Sequence, residues 1–290
     1  MIKFKSVEMK REGYSTAKKH KQIFVSLALL LFFVFIAAFA PYLAKYDPVE
    51  ARLSEAEQPP SVTHPFGTDY LGRDVFSRVV YGARVSLLVG VIAAVVAVWI
   101  GTSIGLIAGY YGGYLDNILM RIVDTVYSLP ALILLIIIMS MFERSIESIV
   151  IAIGLTHWMS TARLIRSEAL SLKNRPFVEA TVALGARESY IMLRHIFPNI
   201  IYIAIVSVTL MTAHSILTES MLSFLGLGIP PHESSWGNML TDAQRDIMFG
   251  IWWTTFFPGL MIVLTVLSIT FLGDGLRDIL DPRRESMVRL

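Results

Sequence analysis

The chain reads as an all-α integral membrane protein with six membrane-spanning helices. Three observations carry that reading. Of its 290 residues 54% are hydrophobic and only 17% charged, and the mean hydropathy of +0.61 exceeds what a soluble core of this size could hide. Six apolar runs approach the roughly 20 residues that a helix needs to cross a bilayer. Finally, Lys and Arg are distributed unevenly between the segments joining those runs.

The first run, 23–43, has Ser26 as its only polar residue before Pro41. Ala38-Phe39-Ala40 looks like a signal-peptidase site, but the polar leader is long, the apolar run exceeds a usual signal core, and Pro41 would follow the cut. The run is therefore read as a retained anchor. The second, 85–108, carries Gly90, Gly101 and Gly105, which let neighbouring helices approach closely in lipid. The third, 118–142, begins with Arg121 and Asp124 and passes through Pro130 as one span. The fourth, 147–162, holds His157; the fifth, 200–225, holds His214 and Glu219; the sixth is 251–272.

With the amino terminus inside, the basic residues gather on one side: in the tail 1–22, the loop 163–199 and the tail 273–290. Both termini are expected to be cytoplasmic. Residues 85–272 form one core membrane domain, with no internal repeat and no break in composition. The outer loop 44–84 is either a binding surface or a packed cap over the helix ends.

Several function classes fall away. No cysteine is present, so disulfides, thiolate metal sites and cysteine nucleophiles are excluded. A net charge of +2 gives no reason to expect nucleic acid. There is no phosphate-binding Gly-x-x-x-x-Gly-Lys-Ser/Thr loop, no His-Glu-x-x-His and no Gly-x-Ser-x-Gly, so neither an ATPase nor a common hydrolase is legible. A transporter of this kind would draw energy from a partner chain or an ion gradient.

The inner loop predicts a short helix over 174–185. Asn174 is placed to cap it, Pro176 fits its first turn, Glu179 lies near the positive end of its dipole, and Gly185 ends it. Ala180 and Ala183 keep one surface flat enough to lie in another protein's groove. These residues resemble the "EAA" loop of bacterial ABC importer permeases, the helix that docks on the cytosolic ATPase. The matching positions are Glu179, Ala180, Gly185 and, further on, Pro198. Thr181 stands where the family has a second Ala, and His195 and Phe197 replace the usual aliphatic pair before the Pro. Four further segments are similar, in the same order, to the second ("C") permease of dipeptide, oligopeptide and nickel importers. They run from His64 to Asp74, from Ser223 to Gly228, from Ser235 to Leu240 and from Gly273 to Pro282.

The resemblance implies the type I ABC importer permease fold, a second related permease chain, two cytosolic ATPase subunits that bind the ATP and Mg, and an extracellular substrate-binding protein. It implies a bacterial plasma membrane location and no catalysis or cofactor in this chain.

Ionisable groups at membrane depth are costly and usually mark a partner or a water-filled path. Asp124 is one turn from Arg121, which predicts an ion pair between them. Glu219, before the Gly-rich turn at the outer end of the fifth helix, either reaches the interface or joins the candidates for the translocation path. His157 and His214 are candidates for the translocation path and, as neutral imidazoles, for metal ligation; the segment around His157-Trp158 also resembles the nickel-type members. A satisfied structural role for each is the competing reading, with Met159, Met211 and Met221 as core fillers. The cargo is left between nickel or a metal chelate and a di- or oligopeptide. A second function class is an ion-gradient transporter in which His157, His214 and Glu219 relay protons. A third is an intramembrane enzyme.

Overall fold

The computed structural model describes residues 21–280. The basic residues of the first tail before Lys21, and those after Leu280, lie outside the described residues. Within them the chain is helical, with one isolated bridge, Thr68 to Asp74, as the only extended pairing.

Helix α1 (Lys21–Ala38) is followed by a single turn, α2 (Ala40–Leu43), that takes Pro41 in its first positions. After the 44–74 segment come α3 (Val75–Tyr111), α4 (Gly113–Tyr127), α5 (Ala131–Met141) and α6 (Ile146–Lys173). The short helices α7 (Pro176–Ala183) and α8 (Glu188–Ile191) lead through a π turn, Met192–Ile196, into α9 (Phe197–Phe224). Helices α10 (Trp236–Asp246) and α11 (Trp253–Leu280) complete the bundle. Five helices are long and apolar enough to cross a membrane, and α4 with α5 makes a sixth if that bent pair is one span.

The expected third span, 118–142, is thus not a single rod. Its halves meet at 87°, because Pro130 has no N–H to continue the ladder and forces Leu129 away from helical geometry. Other boundaries shift for similar local reasons. The last ten positions of the 44–84 loop belong to α3, which starts where Asp74 accepts a hydrogen bond from the Ser77 amide. The inner loop is shorter than 163–199, since α6 continues to Lys173 and helix resumes at Glu188. The final helix extends past 272 to Leu280. The π turn sits immediately ahead of Pro198, whose missing amide leaves the ladder one donor short.

Helix α3 is the central post. Gly101, Gly105 and Gly109 form a stripe against α6: a Cβ at these positions would stand 2.5 Å from the Trp158 carbonyl oxygen, 2.4 Å from that of Ala162 and 2.6 Å from that of Arg166. Only hydrogen fits, and the backbones are drawn together over about two turns. Nearer its start α3 meets α9, where Gly90 faces Ile216.

The 44–74 segment folds back as a cap. Trp253 Nε1 donates to the Thr68 carbonyl at 3.0 Å, Phe66 stacks on Phe257 with centroids 3.8 Å apart and meets Phe76 of α3 edge-on, and Arg73 donates to Asp242 of α10 at 2.7 Å. The cap is therefore bound to α3, α10 and α11 by side chains rather than strung between helix ends.

Candidate functional site

Helix α7 hangs from the bundle by one side chain. Val178 is its only buried residue; it enters a cluster with Ile165, Ala169 and Leu172 of α6 and Ile191, Ile196 and Ile200 beyond. The remaining face is open, with Phe177, Val182 and Leu184 exposed beside the solvent-facing Glu179 and Ala180. Its amino-terminal cap is Arg175 rather than Asn174. Asn174 instead closes α6, with its side-chain amide donating back to the Leu170 carbonyl. Gly185 ends the turn at φ +75 with nothing within 4 Å of a Cβ, so it is required there for backbone conformation alone. Pro198 lies at the start of α9 on the exposed side.

The second assembly is a cavity of about 430 Å³ beneath the α4–α5 bend. Tyr127, Leu129 and Leu134 line it from the bent pair, and His157, Ser160 and His214 from α6 and α9. The two imidazoles lie edge to face with centroids 5.0 Å apart. Sequence spacing places them on different helices, and the α6–α9 packing brings them together. Among the described residues no three of His, Cys, Asp and Glu gather where they could hold a metal ion. Met159 is buried and Met211 partly so, but Met221 faces outward and is not a core filler.

Glu219 belongs to neither assembly and does not reach the interface. It is fully buried, accepting from Ser223 Oγ at 2.9 Å and Ser235 Oγ at 3.1 Å, with longer contacts from Ser220 and Ser86. Since Ser86 is on α3 and Ser235 caps α10, this carboxyl ties three helices together. A buried carboxyl surrounded by hydroxyls is a structural node, because every neighbour is already committed to it.

Asp124 does not pair with Arg121. Arg163 reaches it from α6 at 2.7 Å, with its guanidinium 4.4 Å from the centre of the Tyr127 ring. Arg166, one turn further along α6, grips both oxygens of Asp116 at 2.5 Å. These two pairs fasten α4 to α6. The sequence reading missed the second pair, although an Asp just after Gly112-Gly113 and an Arg one turn from Arg163 were its available signal.

The cap holds the remaining cluster that sequence reasoning did not resolve. Asp69 accepts from Arg73 Nε at 2.7 Å and Arg78 Nη1 at 2.6 Å, and both guanidinium groups also reach Asp242 of α10. His64 Nδ1 lies 2.8 Å from Asp74 and stacks on Tyr46. Desolvation opposes the charge of Arg73, yet the carboxylates of Asp69 and Asp242 outweigh it and hold its pKa above the ordinary arginine value.

Apolar membrane-length helices around a cavity that carries two histidines, with a short helix held at one end by a single side chain, are the architecture of a multi-pass membrane transport component. Residues 101–286 match the family of binding-protein-dependent transport system inner membrane components, and residues 15–60 match the N-terminal transmembrane domain of oligopeptide transport permease C. The chain belongs to that family of ABC importer permeases, whose members are membrane components of the transporter rather than its catalytic subunits. It is 41% identical to the dipeptide transport system permease protein DppC of Bacillus subtilis over 97% of this chain and 88% of that one. It is 39% identical to the oligopeptide transport system permease protein OppC of the same organism over 97% and 92%. A putative peptide transport system permease protein of Brucella abortus is 39% identical over 91% and 89%. The family places the chain in a membrane alongside an ATPase and a substrate-binding protein.

Proposed function

We propose that this chain forms half of the path through which a di- or oligopeptide crosses a bacterial plasma membrane, paired with a second related permease and driven by two ATPase subunits that hold the ATP and Mg. The observation that carries the coupling is the geometry of α7: an exposed apolar face suspended from α6 by Val178, which suits a helix that is gripped by another protein and moves α6 with it. Glu179, Ala180 and Gly185 present and terminate that helix, and Pro198 begins the return into the membrane. The basic inner segments support cytoplasmic termini.

Peptide is favoured over nickel or a metal chelate because the relatives bear peptide permease names and, among the described residues, no third His, Cys, Asp or Glu joins the two imidazoles. The ion-gradient reading loses Glu219, which is enclosed by serines away from the histidine-lined cavity. The cavity with His157 and His214 is the proposed translocation path of this half.

The test is uptake of a labelled dipeptide and of radioactive nickel by cells with and without this chain, the other subunits being present in both. Dipeptide uptake alone is expected to disappear. Glu179→Lys should lower it more than tenfold while membrane levels stay constant; unchanged uptake sinks the coupling role, and loss of nickel uptake alone sinks the peptide assignment.

A further inference from the structure

The His157 ring is fixed in one tautomer. Its Nδ1 lies 3.0 Å from the Ile153 carbonyl oxygen, which only accepts, so Nδ1 carries the hydrogen of the neutral ring. Thr156 Oγ1, 2.9 Å from the same nitrogen, gives its own hydrogen to the Ala152 carbonyl at 2.8 Å and receives the second branch from Nδ1. Both hydrogen bonds of the ring are made at Nδ1, which leaves the lone pair of Nε2, on the other edge of the imidazole, without a hydrogen-bond partner among the described residues. His157 therefore offers the cavity a hydrogen-bond acceptor of defined direction.

The cavity around it holds no compensating charge. None of its lining side chains is an acid, a lysine or an arginine. The charged groups of α4 and α6 at this level, Asp124 and Arg163, are engaged with each other. Helix α5 and residues 85–111 of α3 are uncharged, and on α9 Glu219 is enclosed by hydroxyls. A cation would have no counter-charge here, whereas a neutral donor would have an acceptor waiting. Aromatic Tyr127 and thioether-bearing Met159 and Met211 complete a lining that tolerates varied side chains.

Resting on the peptide reading above, we propose that His157 is a specificity-determining residue of the path, accepting a hydrogen bond through Nε2 from a main-chain amide N–H of the passing peptide. It reads the feature common to all peptides and ignores side-chain identity, with the His214 ring packed edge to face beside it.

The experiment uses the complete importer, with binding protein and ATPase subunits, in proteoliposomes. Uptake of labelled dialanine and of dialanine methylated on its amide nitrogen is measured for wild type, His157→Phe and His157→Gln. Dividing each variant by wild type for the same peptide removes the preference of the binding protein. His157→Phe should lower dialanine uptake about three- to tenfold, the range set by one lost hydrogen bond, and leave the methylated peptide unchanged. His157→Gln, which retains an acceptor near the Nε2 position, should recover most of the loss. Equal loss for both peptides, no loss for either, or no recovery in His157→Gln overturns the inference while leaving a peptide permease. If His157→Phe does not reach the membrane, His157→Gln against His157→Asn decides: the asparagine oxygen reaches only the Nδ1 position, and equal discrimination by the two overturns the inference. A wild-type importer that moves no peptide overturns the peptide reading and this inference with it.

Discussion

The cap cluster and the Asp124–Arg163 pair of the α4–α6 seam both join segments distant in sequence by Asp–Arg contacts, yet they do so under opposite conditions of solvation. In the cap, Asp69 and Arg78 have side chains only 2% and 3% exposed, and the cluster is closed by two backbone amides, Leu71 and Arg73, that donate to the other oxygen of Asp69. At α4, Asp124 and Arg163 are 61% and 43% exposed. Buried charge that is paired on both sides is locked, even though Arg78 Nε is left without a partner, because any opening strands a charge in low dielectric; exposed pairs exchange with water at little loss. The contrast separates a part of the permease built to stay in one arrangement from a part able to change partners during a transport cycle.

The largest effect is expected from unlocking the cap. Asp69→Ala leaves two guanidinium groups sharing Asp242 and strands two amides, at about 3–5 kcal/mol. Thermal unfolding of the purified protein in detergent should show a markedly lower midpoint, or the variant should fail to accumulate. A midpoint within a degree or two of wild type would mean that the cap is not locked through this residue.

A smaller effect concerns Asp246, at the junction of α10 with the following turn. It is 1% exposed, and burial, with Asp69, Glu57 and Asp242 nearby, pushes its pKa up to about 6; the Thr254 hydroxyl opposes the shift. Because the folded value lies above the unfolded one, the neutral form is favoured by folding. Its stabilising contribution is complete below about 3.8 and is lost as pH rises through about 6. Asp246→Asn should therefore match wild type near pH 4 and exceed it at pH 8 by about 1–3 kcal/mol. Parallel stability curves for the two proteins across that range would remove Asp246 from the balance.

How much of this was legible in the sequence follows the same division. Hydropathy and the Lys/Arg asymmetry identified the membrane class and approximate positions of the helices, because desolvation acts on every residue of a span. Gly185 and Pro176 were readable as local punctuation for α7, since backbone conformation is set by the residue itself. What sequence could not supply was partner choice. Arg121 is the near neighbour of Asp124 along the chain, but Arg163 arrives from another helix at better geometry. Glu219 looked like an interfacial acid until α3 and α10 brought Ser86 and Ser235 to it. Pro130 was visible, but the angle it produces depends on how α5 packs against α6.

The smallest expected change in stability tests the other side of the comparison. Asp124→Asn removes the charge facing Arg163 while keeping the shape of the side chain, and an exposed pair of this kind contributes under about 1 kcal/mol, so the unfolding midpoint should barely move. Transport should respond more strongly than stability, because Asp124 lies on α4 one turn before the bend over the cavity, and Arg163 lies on α6 between that cavity and α7. With the pair weakened, motion imposed on α6 at the α7 end has one fewer attachment to the bent pair, and ATP hydrolysis should continue with less peptide delivered per ATP. The measurement is the ratio of uptake to hydrolysis in proteoliposomes. A ratio equal to wild type would make the exposed pair as passive as its stability contribution suggests, whereas a fall without any change in midpoint would place coupling in the weakly held half of the molecule.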